Sequence, residues 1–268
     1  MVDTQNKTPL FNYYAPQNKY IGLISIPHSG LEKPHEFDEF LTQDEVALKQ
    51  DVDFFVHELV DIPKLQARGI AVIKSNIIRT CVDLNRSPET CVLNWKQNSR
   101  QVPVVTQEPD ELKATELRAK FYGPYYEMLK ALIFELINKN PPGNIVDLHS
   151  MPSRATAYHM QQKPDQREQR PDFCLSDQFG ASCVPAFIQN IQTALAEKYS
   201  EVFINDPYKG GYITQYIHEN FAGVNNIQIE ISRALYMDEE QFSLKPEHAE
   251  LKDHLTKSLI ALFEKFEV

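Results

Sequence analysis

Residues 144–150 read NIVDLHS. They follow Pro141-Pro142-Gly143, which stops any helix before them. Ile145, Val146 and Leu148 make a short apolar run that reads as a buried strand. Asp147 and His149 are two positions apart and so share one face of it. Working back from this strand, residues 110–140 carry a long amphipathic helical pattern, with a break expected near Gly123-Pro124. Residues 70–78 are β-branched and read as a strand. Residues 42–61 read as a helix, with Thr42 as N-cap and Glu45 completing a capping box. Residues 20–27 (YIGLISIP) read as a strand that runs into a Pro-His-Ser-Gly turn. Working forward, residues 152–171 are polar and read as a surface loop. Residues 185–199 are helical, Lys209-Gly210-Gly211 is a turn, and a helix follows near 212–219. Residues 225–232 (NNIQIEIS) alternate as a strand does, and 246–266 close with an amphipathic helix. Strands alternate with helices throughout, which indicates an α/β fold with helices on both faces of a sheet. With no repeat and no linker, residues 1–268 read as one domain.

The 268 residues suffice for a substantial core. Hydrophobic residues at 42% against 24% charged are the balance of a globular chain, not a disordered one. No apolar run approaches the roughly 20 residues that cross a bilayer. Residues 1–14 lack the basic-then-apolar order of a signal peptide, so a cytoplasmic location and no membrane partner are expected. A net charge of −10 argues against non-specific nucleic-acid binding. It leaves room for an anionic ligand held by a local cluster of Arg and Lys. Cys81, Cys91, Cys174 and Cys183 form no CxxC pair, which argues against a structural zinc site; free packing thiols are expected.

Sheets of this kind place their chemistry at strand ends. His28 and His149 each lie at the end of an apolar strand. A lone histidine there is ordinarily a hydrogen-bonded core residue, but two suggest a hydrolytic metal site, which takes three protein ligands and keeps one position open. Asp53, Asp51 and Glu32 are candidates for an acidic third ligand. Asp147 shares the face of His149 and could orient a ligand from behind. Glu230 shares a strand face with Gln228 and Ser232. That face is either solvated or lines a cleft, where a carboxylate serves as general base. Arg79, Arg86 and Arg233 are ordinary salt-bridge partners singly. Together they suit carboxylate recognition or an oxyanion. Lys209-Gly210-Gly211 is a simple turn or a backbone approach to an anion.

Six motifs in order then resemble the N-formylglutamate amidohydrolase family: PHSG (27–30), RTCVDLNR (79–86), VDLHS (146–150), DQFGASC (177–183), YKGGYITQYI (208–217) and IQIEISRALYMDE (227–239). The family is similar in fold to zinc carboxypeptidases. The resemblance implies a mixed β-sheet covered by helices on both faces, a carboxypeptidase-like (phosphorylase/hydrolase-like) three-layer sandwich. It implies Zn2+, or another divalent metal, held by His28, His149 and Asp53, the last from QDVDFFVHEL (50–59). Glu32 is the runner-up, although it lies four residues from His28 where the carboxypeptidase motif has three. Asn85 and Arg86 would clamp the substrate's α-carboxylate and Arg79 would polarise the scissile carbonyl. Glu230 would act as base and then as acid. Lys209, Thr214, Tyr216 and Arg233 would line the acidic side chain or serve the motif's own hydrogen bonds. Residues 86–105 lack the glycines usual in the family, and with the loop at 154–170 they are expected to shape the pocket.

The expected reaction is metal-dependent hydrolysis of a small anionic N-acyl amino acid, N-formyl-L-glutamate first, with a place in amino-acid catabolism such as histidine degradation. Another N-acyl amino acid or a peptide is the alternative substrate. A non-catalytic protein binding an acidic metabolite is the reading outside enzymology. A serine nucleophile is disfavoured because Ser29 and Ser150 lie outside any GxSxG motif.

Overall fold

β-Branched and aliphatic runs bounded by turns give the seven strands of the main sheet among the described residues: β1 (Phe11–Tyr14), β2 (Gly22–Ile26), β3 (Ile70–Ser75), β4 (Asn144–Met151), β5 (Phe173–Ser176), β6 (Val202–Ile204) and β7 (Asn225–Ser232); a short hairpin pairs Met237–Asp238 with Ser243–Leu244. The computed structural model describes residues 9–267. The strands form one sheet in the order β1-β3-β2-β4-β7-β5-β6. The central strands β3, β2, β4 and β7 run parallel. β1 and β5 run antiparallel to β3 and β7, and β6 runs parallel to β5. The sheet is therefore mixed, as expected. Its two longest strands, β4 and β7, are buried along their whole length and pair over eight residues, setting His149 opposite Glu230.

Eight helices accompany the sheet: α1 (Glu45–Lys49), α2 (Ile62–Ala67), α3 (Glu111–Leu117), α4 (Gly123–Lys139), α5 (Ala157–Gln162), α6 (Pro185–Ala196), α7 (Tyr212–Asn220) and α8 (His248–Lys265). Strand side chains alternate between faces. Leu23, Ala71, Ile73 and Ile145 pack with α3, α4 and α7. Ile24, Val72, Val146, Leu148, Ile227 and Ile229 pack with α2, α6 and α8. This is the anticipated three-layer arrangement. On the first face β7 contributes Gln228, Glu230 and Ser232 instead of apolar residues, and all three are buried. Apolar helix packing thus gives way on that face to a polar floor.

Several expectations are corrected. Residues 42–61 are not one helix. The helix is only α1, and its N-cap is Asp44, whose carboxylate accepts from Val46 N–H and Ala47 N–H, so Thr42 does not fill that role. The chain then leaves helical geometry, and Phe55 adopts φ 62°, a conformation non-glycine residues adopt seldom. This reversal delivers Asp53 to the sheet, and Asp53 N–H donates to the His28 carbonyl. Residues 110–139 form a continuous rod capped by Asp110, and in place of the break expected near Gly123-Pro124 there is a π-helical turn at Arg118–Tyr122. Residues 152–171 are not only loop, for they contain α5. Strands β1, β5 and β6 were not expected; each is three or four residues long, too short to show a period.

Candidate active site

The two histidines arrive by different routes. His28 follows β2 and His149 lies within β4, and their rings meet edge to face with centroids 4.8 Å apart. Each ring is fixed from behind through Nε2. His28 Nε2 lies 2.7 Å from Asp83 Oδ1, and His149 Nε2 lies 2.7 Å from Asp147 Oδ2. Both Nδ1 atoms therefore turn toward Asp53, at 3.7 Å from His28 and 3.2 Å from His149. A donor atom from each of His28, Asp53 and His149 lies within 4.8 Å of the others, and all three side chains are buried. His28 Nδ1 has no hydrogen-bond partner. A buried imidazole nitrogen without a partner is costly, and this one faces a carboxylate and a second imidazole. That donor set, with a carboxylate behind each imidazole, fits a divalent metal of the zinc type. Asp51 and Glu32 lie outside this cluster. Asp51 accepts from Ser99 N–H, and Glu32 is exposed.

The carboxylates of the site are saturated with donors. Asp83 accepts from His28, Asn85 N–H, Arg79 and Trp95 Nε1–H. Burial works against its charge, but Arg79 and His28 hold its carboxyl well below the usual range. Asp53 Oδ1 accepts from Ser150 and Arg233. Burial opposes its charge too, and the two histidines outweigh it, so the group stays ionised. Glu230 differs. Burial pushes its carboxyl up to about 7 against the pull of His149. Gln228 Nε2–H donates to it at 2.8 Å, while Gln228 Oε1 accepts from Gly211 N–H and Asn85 Nδ2–H.

These groups border a cavity of about 560 Å³, within the range of small-molecule sites. Of the anticipated residues, His28, Asp53, Arg79, Asn85, Arg86, His149, Lys209, Glu230 and Arg233 all lie on it. The arginines play unequal parts. Arg233 is paired with Asp53 and Arg79 with Asp83, though Arg79 Nε has no partner. Arg86 forms no ion pair among the described residues, and its guanidinium lies 5.1 Å from the Trp95 ring centroid. Asn85 spends its side chain internally, donating to Gln228 and accepting from Ile213 N–H. Thr214 and Tyr216 are corrected: neither lines the cavity. Thr214 is fully buried in α7, and Tyr216 is half-buried and packs edge-on against Tyr126 of the core.

Both segments expected to shape the pocket do so. Residues 86–105 supply Trp95 and Ser99, and residues 154–170 supply Tyr158, His159 and Lys163. The two segments meet, with the Trp95 and Tyr158 rings 6.1 Å apart and Gln101 donating to Gln161. Three cavity-wall or supporting residues carry no strong signal in the sequence: Asp83, within RTCVDLNR, Tyr208 and His159. The spacing of Asp83 from Arg79, four residues, was the available signal for a paired carboxylate. Tyr208 opens the YKGGYITQYI motif but nothing in it marks a hydroxyl at the cavity, and nothing local marks His159. The four cysteines are free and buried, as expected. Among the described residues no helix is long and apolar enough to cross a membrane.

With this geometry in place, comparison with known proteins is informative. A model of the N-formylglutamate amidohydrolase family matches residues 22–237. The curated N-formylglutamate deformylase of Pseudomonas aeruginosa is 27% identical over 251 residues, covering 89% of this chain and 90% of that one. The solved N-formylglutamate amidohydrolase of Ralstonia eutropha JMP134 has a TM-score of 0.81 at 23% identity, covering 95% of this chain and 97% of its own. A gene product of Agrobacterium tumefaciens has a TM-score of 0.71 at 17% identity, covering 97% and 95%. The two structures bear on the fold.

Proposed function

The chain belongs to the N-formylglutamate amidohydrolase family, and on that premise we propose that it hydrolyses N-formyl-L-glutamate to formate and L-glutamate with Zn2+ held by His28, Asp53 and His149. The same reading makes residues 1–268 a single catalytic domain working in the cytoplasm. One observation carries it: an unpartnered His28 Nδ1 faces Asp53 and His149 in a buried triad, and His149 lies opposite a carboxyl held near 7 on the next strand. A divalent ion in such a triad supplies Lewis acidity, polarising a carbonyl and lowering the pKa of water.

The chain's own residues do the rest. Glu230 takes a proton from the attacking water and returns it to the departing amine nitrogen. A carboxyl near neutrality suits both directions of transfer, because it binds and releases a proton near the working pH. Its orientation comes from Gln228. Arg79 is held by Asp83 and by the Asp51 carbonyl, which leaves Nε free to donate to the oxygen that gains charge. Arg86, without an ion-pair partner, receives the α-carboxylate, and Lys209 adds positive charge at the same wall. Asn85 acts at one remove, tying the Gly211 turn to Gln228. Arg233 likewise holds Asp53 in place.

The test is formate release from N-formyl-L-glutamate by zinc-loaded protein. Glu230→Gln should lower kcat by about 10²–10⁴-fold, and chelation should abolish turnover. Formate release that survives chelation, or a Glu230→Gln variant as fast as wild type, overturns the assignment.

A further inference from the structure

Arg170 is a buried cation in search of a partner. It is 2% exposed and its Nε has no hydrogen-bond acceptor. Its guanidinium donates to the Tyr208 hydroxyl and to Gln166 Oε1, both neutral groups. Among the described residues no carboxylate lies within ion-pair distance of it, although its field reaches the Glu230 carboxyl. A buried charge left this way is expensive unless something supplies the opposite charge.

Tyr208 carries that positive field to the cavity wall. The Arg170 guanidinium carbon lies 4.8 Å from its ring centroid. Arginine has only donors, so the Tyr208 oxygen must accept from it. The hydroxyl proton of Tyr208 is then left over, with no acceptor among the described residues. Tyr208 lines the cavity, and its backbone carbonyl is fixed over β5 by Cys174 and Ser176. Cys174 sits opposite Glu230 in the sheet, which places this wall beside the reacting carboxylate.

His159 lines the same cavity and adds a second donor. Its Nδ1 accepts from Thr156 N–H, so that nitrogen carries no proton. Burial, and then Arg170, hold its pKa down to about 4, so the ring is neutral and its proton sits on Nε2. The wall therefore offers two hydrogen-bond donors backed by an unpaired cation.

We propose that Tyr208, backed by Arg170, and His159 form the subsite for a second carboxylate, the acidic side chain of the N-acyl amino acid. This rests on the reading of the site as an N-acyl amino acid hydrolase, and it adds what that reading leaves open: why the substrate is acidic at both ends. Arg86 takes one carboxylate, and the Tyr208 wall takes the other. A side-chain amide would bring its own N–H groups against donors, and it would leave Arg170 uncompensated.

The experiment compares N-formyl-L-glutamate with N-formyl-L-glutamine, which differ only in that group, for wild type, Tyr208→Phe, His159→Gln and His159→Leu. The ratio of kcat/KM between two substrates on one variant is independent of how much of that variant folds. Wild type should favour the glutamate compound. Tyr208→Phe should lose about 10–100-fold on it, mostly in KM, and much less on the glutamine compound. His159→Gln, which keeps a donor and an acceptor, should retain more of the preference than His159→Leu. Equal losses on both substrates, or no preference in wild type, overturn the subsite. Calorimetric binding of L-glutamate against L-glutamine runs alongside. If neither formyl compound is cleaved, the proposed reaction fails by itself. The subsite then stands if binding prefers glutamate in wild type but not in Tyr208→Phe, and falls otherwise.

Discussion

Asp83 shows how much a single residue holds. Its two oxygens bind four donors, one of them the His28 imidazole whose other nitrogen faces Asp53 and His149. Asp83→Asn replaces an acceptor by a donor behind that ring. Metal affinity should fall about 10–100-fold, measured by competition against a chromogenic chelator; an unchanged affinity would show that His28 is aligned without it. His57 makes a second residue-scale case. Burial, with Lys74 and Lys252 nearby, lowers its pKa to about 4 from 6.5, and its Nδ1 has no partner. Between those two values the unfolded chain binds the proton and the folded chain does not, so stability falls as pH drops through that window. Urea midpoints for His57→Gln should fall less steeply than wild type over the same range. Parallel curves would remove His57 as a contributor.

At the scale of elements, short irregular pieces set the site while long regular ones support it. The five-residue α1 ends so that the following segment can reverse at Phe55 and bring Asp53 to the sheet. The start of α7 is equally constrained. A Cβ on Gly211 would stand 2.2 Å from Asn85 Nδ2 and 2.4 Å from Asn85 Oδ1. Gly211→Ala should therefore displace Asn85 and release Gln228 from its two donors. Overpacking of this kind costs about 1–3 kcal/mol, read as a lower urea midpoint, and kcat should drop with it because Gln228 also holds Glu230. Full activity in Gly211→Ala would mean that the Asn85–Gln228 link is dispensable.

At the scale of the whole molecule, the two faces of the sheet divide the labour. One face has an apolar centre sealed by α2, α6 and α8, with polar residues such as Asn144, Asn225 and Ser150 only at the strand ends. The other is apolar only until the floor turns polar at Asp147, His149, Gln228 and Glu230. Buried charge on that floor needs compensation, and metal binding should couple to global stability. Zinc at about 1,000 times its Kd should add about 4 kcal/mol to unfolding, with no gain in His149→Ala. Equal stability with and without metal in wild type would place the ion outside the folded triad.

The sequence by itself determined the central strands, because β2, β3, β4 and β7 are apolar runs bounded by turns and their period is local. It also singled out polar residues on or just after those strands that line the cavity. His28, His149 and Glu230 stand out because polar residues interrupt or end apolar runs, and six motifs in order identified the family. Only the tertiary structure decided the rest. Asp51, Asp53 and Glu32 were all open as the acidic member, and only the fold brings Asp53 together with His28 and His149. Thr214 and Tyr216 sit in a promising motif, yet the rotation of α7 turns them into the packing. Arg170, Tyr208 and His159 are far apart along the chain or lie in segments without a period. Arg170, just before β5, and Tyr208, just after β6, meet because β5 pairs with β6, and no local pattern can encode a contact made across a sheet.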